Sequence, residues 1–247
     1  YVSAGKEVNQ GKDLRLSIDL MLQYLTYRAL KEAVFQAGAA GGSAVLLDAW
    51  SGQILALAGQ PAFNPNDISS RIPDRIRNRP TTDLMEPGSS IKPFTVATAI
   101  DLGIINPKTE IDTSPGSLRI QSNTVRDVKN FGVLDVSDVI IKSSNVATSK
   151  IALMLEPSAL RDRLAKLGLG RSTGSGFRGE VDGYIPSAAS LSEMDQAALS
   201  YGYALNVTLL QMAQAYSVFA NKGMMQPLTI LSEDKPSSSV RIFSEKT

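Results

Sequence analysis

A serine and a lysine three residues apart on a helix can make a nucleophile without histidine, and Ser89 and Lys92 form such a pair. Among 247 residues there is neither a histidine nor a cysteine. That excludes Ser-His-Asp and Cys-His machinery, imidazole bases, His-ligated zinc, thiolate nucleophiles and iron–sulfur clusters. A covalent nucleophile here must be serine, threonine, lysine or a carboxylate. A base working near neutral pH must be a lysine shifted down or a carboxylate shifted up.

The S-x-x-K spacing occurs three times, at Ser3/Lys6, Ser89/Lys92 and Ser232/Lys235. The first and last lie in polar segments and read as solvated surface residues. Pro87-Gly88 instead sets Ser89 at the start of a helix. Its remainder, Phe94-Thr95-Val96-Ala97-Thr98-Ala99-Ile100, is apolar or small around most of its circumference, as in a helix buried in a core. Lys92 then falls in the first turn, where burial and the positive end of the helix dipole both disfavour its ammonium form and lower its pKa toward that of a base. The same positive end and the unpaired first-turn N–H groups favour negative charge developing near Ser89. Read structurally, the pair is an N-capping serine and a snorkelling lysine, and this segment alone leaves both readings open. Ser143-Ser144-Asn145 is the only S-x-N in the chain. It is either a polar interhelical turn or a hydroxyl that shuttles a proton beside a carboxamide that holds a substrate amide.

Several elements must position these groups. Apolar residues from Ile18 to Ala33 recur at helical spacing behind an N-cap at Asp19, and glycines from Gly38 end the helix. Residues 44–49 and 54–58 read as a β-hairpin covered on both faces, because the runs barely alternate. Residues 60–87 carry so many prolines that no regular element is expected there. Residues 89–102 fit a helix, and polar sequence follows to about residue 131. A helix over 138–142 capped by Ser137, a break at the Ser-Ser-Asn turn, helices over 146–155 and 160–167, a glycine-rich loop over 170–184 and at least one buried helix within 197–220 complete the pattern. Val240 to Phe243 reads as a short strand or helix entry. The loop lacks the G-K-[ST] ending of a phosphate site, and Glu180, Asp182 and Glu193 read as solvated carboxylates with no fixed separation.

Composition excludes further classes. A net charge of +1 with both signs interspersed leaves no footprint for nucleic acid. No apolar run approaches the length needed to span a bilayer.

Glu86-Pro87-Gly88-Ser89-Ser90-Ile91-Lys92-Pro93-Phe94 followed by Lys142-Ser143-Ser144-Asn145-Val146 resembles the active-site signature of class B penicillin-binding proteins, the septal (division-type) peptidoglycan D,D-transpeptidases. The likeness extends through Leu47-Asp48, Gly52-Gln53-Ile54-Leu55-Ala56, Phe63-Asn64-Pro65-Asn66, Phe177-Arg178-Gly179-Glu180, Tyr201-Gly202-Tyr203, Val207-Thr208-Leu209-Leu210-Gln211, Ala215-Tyr216 and Ala220-Asn221-Lys222-Gly223, nearly the whole chain. The resemblance implies an α+β penicilloyl-serine transferase fold (β-lactamase/transpeptidase-like), an antiparallel sheet between helical layers. Carried over, Ser89 is the nucleophile on the penultimate D-Ala carbonyl of a stem peptide, Lys92 its proton acceptor and Ser143 the relay to the leaving D-Ala. Asn145, with Ser144, binds substrate. No cofactor or metal is implied. The implied partners are peptidoglycan stem peptides, β-lactam antibiotics and divisome membrane proteins, at the periplasmic face of the bacterial cytoplasmic membrane, with the anchor outside this chain. A serine β-lactamase or β-lactam sensor of the same fold and a non-catalytic divisome scaffold are the competing readings.

The family's third motif, Lys-Thr-Gly on a strand, is absent, and Lys246-Thr247 read as a coincidence. The expected organisation is a linker over residues 1–12 from an upstream domain and a transpeptidase domain over 13–247, incomplete at the C-terminus for want of its last strands and helix.

Overall fold

Asp19 starts the first helix by accepting a hydrogen bond from Leu22 N at 2.8 Å, as its type and place suggest. The computed structural model describes residues 11, 13–232 and 238–247. The linker assigned to residues 1–12, Gly11 apart, the Ser3/Lys6 pair and Lys235 lie outside the described residues. Helix α1 (Leu20–Gln36) packs on an antiparallel hairpin of β1 (Gly42–Leu47) and β2 (Ile54–Gln60). Residues of β2 alternate buried and half-buried, and no residue of β1 is fully buried, so the hairpin is less covered than expected. Apolar identity alone does not separate a sealed strand from a half-covered one. The second edge of β2 is closed by the chain entering α1: Leu57 exchanges hydrogen bonds with the Gln23 side-chain amide (2.8 and 3.0 Å), and Asp19 N donates to Leu55 O at 2.9 Å.

The proline-rich stretch does hold regular turns. The one-turn helices α2 (Pro73–Ile76) and α3 (Arg79–Thr82) each carry a proline in their first turn, where its missing N–H costs nothing. Arg79 ties them together through Asp74 at 2.8 Å and Asp83 at 2.9 Å. After a 3-10 turn at Gly88–Ile91 comes α4 (Lys92–Asp101). Four short strands missed by the sequence reading follow: β3 (Glu110–Asp112), β4 (Ser117–Ile120), β5 (Asn123–Arg126) and β6 (Val133–Asp135). They pair antiparallel as β3 with β6 and β4 with β5. Strands of three or four residues are too short to show a hydrophobic period.

Five helices complete the described helical layer: α5 (Val136–Ile141), α6 (Asn145–Leu153), α7 (Ala159–Lys166), α8 (Glu193–Ser200) and α9 (Leu209–Ala220). The cap of α5 is Asp135, accepting from Asp138 N at 2.7 Å, rather than Ser137. Strands β7 (Met224–Met225) and β8 (Val240–Arg241) form a short antiparallel pair. The glycine-rich loop has no helix or strand, but its acids are not merely solvated. Glu180 accepts from Thr173 N and Oγ1 and from Ser172 Oγ, and Asp182 from Ser172 N, so the carboxylates hold the loop's shape.

Helix α4 runs through the main core. Ile91, Phe94 and Ala99 are fully buried against Ala147 and Ile151 of α6, Leu160 and Leu164 of α7, Leu199 of α8 and Ala215 of α9. Truncating a residue such as Phe94 to alanine in this setting costs ~3–5 kcal/mol. The helix that carries Lys92 is therefore among the best-anchored elements of the described chain.

Candidate active site

Pro87 and Gly88 bring the chain into the Ser89 turn, with Gly88 at φ +55°, a conformation glycine adopts without strain. Two backbone contacts fix the approach. Met85 and Val207 exchange both hydrogen bonds of an antiparallel bridge at 3.0 Å, and Gly88 N donates to Gly202 O at 3.0 Å. Gly202 has φ +85°, and a Cβ there would lie 1.9 Å from Gly88 O. Only glycine lets the two strands of chain approach so closely. The Ser89 side chain is exposed and makes no hydrogen bond among the described residues.

Lys92 is 2% exposed. Its Nζ donates to Ser143 O at 2.5 Å and to Ser143 Oγ at 2.9 Å. Burial lowers the amine from 10.5 to about 8, with the negative charge of Asp127 working in the opposite direction. The expectation of a desolvated amine in the first turn of a core helix is thus met in place and in direction. The alcohol the amine grips is Ser143 rather than Ser89, and it spans 51 residues to do so.

The Ser-Ser-Asn turn is a junction of two helix caps. Ser143 N donates to Ile140 O and Ser144 N to Val139 O, both at 3.1 Å, the double closure of a Schellman motif at the end of α5. The residue at its left-handed position is usually glycine, but here it is Ser143, at φ +54°. A side chain there costs ~1 kcal/mol, a strain of the kind that gathers at functional sites. Ser144 then caps α6, its Oγ accepting from Ala147 N at 2.9 Å and donating to Asp127 Oδ2 at 2.6 Å. Ser144 is fully buried. Its hydroxyl is spent on the turn. Asn145 is half-buried, with Nδ2 donating to Arg126 O at 3.2 Å.

Asp127 was missed by the sequence reading. Its carboxylate also accepts from Asn145 N at 2.6 Å and Val146 N at 3.0 Å, a second, charged cap on α6. It lies 17 residues before Ser144, in a segment whose composition gives no signal. Lys246-Thr247 are far from all of this. Thr247 Oγ1 donates to Asp101 Oδ1 at 3.0 Å, at the other end of α4 from Ser89. The helix length of ~15 Å separates them.

A family model described as the penicillin binding protein transpeptidase domain matches residues 42–247. The chain belongs to that family. It is 43% identical over 236 residues to the probable peptidoglycan D,D-transpeptidase PbpC of Pseudomonas aeruginosa, covering 96% of this chain and 42% of PbpC. It is 41% identical over 233 residues to the peptidoglycan D,D-transpeptidase FtsI of Escherichia coli, covering 94% and 39%. The chain thus spans about two fifths of the length of these curated relatives. The TP domain of Burkholderia pseudomallei penicillin-binding protein 3 matches with a TM-score of 0.86 at 36% identity, over 96% of this chain and 68% of that one. The fold is that of the penicillin-binding transpeptidase domains, the mixed helix-and-sheet class expected from the motifs.

Proposed function

We propose that this chain forms the serine-acylating part of a class B, division-type peptidoglycan D,D-transpeptidase. One observation carries the reading: a buried amine lowered to about 8 sits one turn beyond an exposed serine and is hydrogen-bonded to the first serine of the Ser-Ser-Asn turn. In this mechanism Lys92 takes the proton from Ser89 Oγ as it adds to the penultimate D-Ala carbonyl. First-turn N–H groups favour the oxyanion. Ser143 passes the proton to the nitrogen of the terminal D-Ala, which leaves as a free amino acid. An amine of a second stem peptide then attacks the acyl-enzyme, forming the cross-link and releasing Ser89. Asn145 is suited to hold the substrate amide, since its side-chain oxygen has no protein donor among the described residues. A β-lactam enters the same path and stops as the acyl-enzyme.

The peptidoglycan substrate is in keeping with the names of the relatives, and the resemblance of the motifs extends the proposal to β-lactams, to the membrane proteins of the division machinery and to a site of action outside the cytoplasmic membrane. Among the described residues no helix is long and apolar enough to cross a membrane. The test is mass spectrometry of the full-length protein after a fluorescent penicillin. An adduct on Ser89 that is lost in Ser89→Ala supports the reading, and label that persists in that variant refutes it. Nitrocefin separates the competing hydrolase: one stoichiometric burst is expected, and steady turnover would identify a β-lactamase.

A further inference from the structure

The 3-10 turn that carries Ser89 is weak by construction. Its N-terminus has no side-chain cap, and 3-10 geometry strains its own hydrogen bonds. It also leaves one acceptor without a backbone donor. Lys92 N donates to Ser89 O, so the next bond in the same register would run from residue 93 to Ser90 O. Residue 93 is proline and has no N–H. Helix α4 begins only at Lys92, so the Ser90 carbonyl falls in the change from one register to the other.

Tyr216 fills that gap from another helix. Its hydroxyl donates to Ser90 O at 2.7 Å across 126 residues. Its ring sits edge-on to Phe94 at 4.9 Å, which fixes the direction from which the hydroxyl arrives. The phenol is held above its ordinary pKa by burial, so it remains a donor throughout the range in which Lys92 titrates. Ser90 is held on its other side by its own Oγ, which donates to Pro87 O at 2.7 Å. Gly88 N in turn donates to Gly202 O at 3.0 Å.

We infer that Tyr216 is a positioning residue for acylation: its hydroxyl pins the peptide plane following Ser90 and so holds Ser89 in register with Lys92. The inference rests on the serine-acylation reading above. The need for such a pin is geometric. A rotation of one peptide plane beside the nucleophile moves the reacting oxygen by a fraction of an ångström, and reaction rates are steep in that coordinate. A tyrosine retained only for packing would act through its ring, and its hydroxyl would be dispensable.

Tyr216→Phe keeps the ring and removes the donor. In the full-length protein, the acylation rate constant at saturating fluorescent penicillin should fall about tenfold, the equivalent of ~1.4 kcal/mol. The dissociation constant of the complex before acylation should stay the same, and Tm should change no more than one surface hydrogen bond allows. Pro93→Ala restores an N–H where the 3-10 register needs one, so Tyr216→Phe/Pro93→Ala should recover most of the lost rate. An unchanged rate in Tyr216→Phe, a matching loss of affinity, gross unfolding, or a double variant as slow as the single would each overturn the inference. Hydrogen exchange reads the pin without chemistry: protection of the Lys92 amide should drop in Tyr216→Phe. If exchange changes while wild type takes up no penicillin at Ser89, the pin stands and the catalytic reading falls; unchanged exchange removes the pin.

Discussion

Acylation by a β-lactam should quicken on the order of tenfold per pH unit until about pH 8, where the Lys92 amine loses its proton, and then level off. The magnitude follows from burial. At neutral pH an amine with a pKa of about 8 is ~10% in the free-base form, against ~0.03% at the ordinary 10.5, so desolvation supplies ~300-fold more base. The assay is the pH profile of the second-order rate constant for a fluorescent penicillin, from mildly acidic to strongly alkaline buffer. Asp127→Asn removes the charge that holds the amine up and should move the bend to lower pH. Stability carries the same signature with a definite sign. Between about 8 and 10.5 the unfolded chain keeps a proton on Lys92 that the folded chain has released, so stability rises with pH through that window. Below it both states are protonated and the charge is buried at a cost of about 3 kcal/mol. Lys92→Met should therefore raise Tm at neutral pH while abolishing acylation. A profile that bends near 10 or is flat between pH 6 and 9, or a methionine variant less stable than wild type, would refute the burial argument.

Two further outcomes concern the backbone around the site. Ser143→Gly relieves the left-handed strain of the Schellman position, worth ~1 kcal/mol, but removes the hydroxyl bonded to the buried Lys92 amine, a loss of ~1–3 kcal/mol, so a denaturant melt should show no net gain in stability. The substitution should also sharply lower acylation, because the Ser143 Oγ that Lys92 holds at 2.9 Å is gone; a variant that acylates at the wild-type rate would remove Ser143 from the proton path. Gly202→Ala would place a methyl group 1.9 Å from Gly88 O at φ +85°. The expected result is a loss of ~3 kcal/mol or more in a denaturant melt together with slow penicillin uptake, and a wild-type-like melt and rate would contradict the close approach.

What could be read along the chain was what depends on local spacing. Three residues on a helix bring Ser89 and Lys92 to one end of α4 whatever the rest of the protein does, and an apolar run beyond Lys92 points to a core helix while leaving open whether the amine itself is buried or snorkels to water. The cap at Asp19 and the stop at Gly38 are local in the same way. The prolines of residues 60–87 misled because proline is compatible with the first turn of a helix. The four short strands after α4 were invisible because their pairing, not their composition, makes them strands.

The partner of each group was a different matter. That Lys92 grips Ser143, that the Ser144 hydroxyl is buried in the turn against Asp127, and that Asp127 caps α6 beside Lys92 were decided by contacts 17 to 51 residues apart in sequence. Gly202 and Tyr216 could be recognised as resembling a family pattern, but their contacts with Gly88 and Ser90 exist only once α8 and α9 are folded against α4. Side-chain type and helical pitch fix what a residue can do with its near neighbours. Which distant atom it meets is set by how the helices pack, because burial in the shared core is non-directional and leaves no periodic trace in the sequence of either partner.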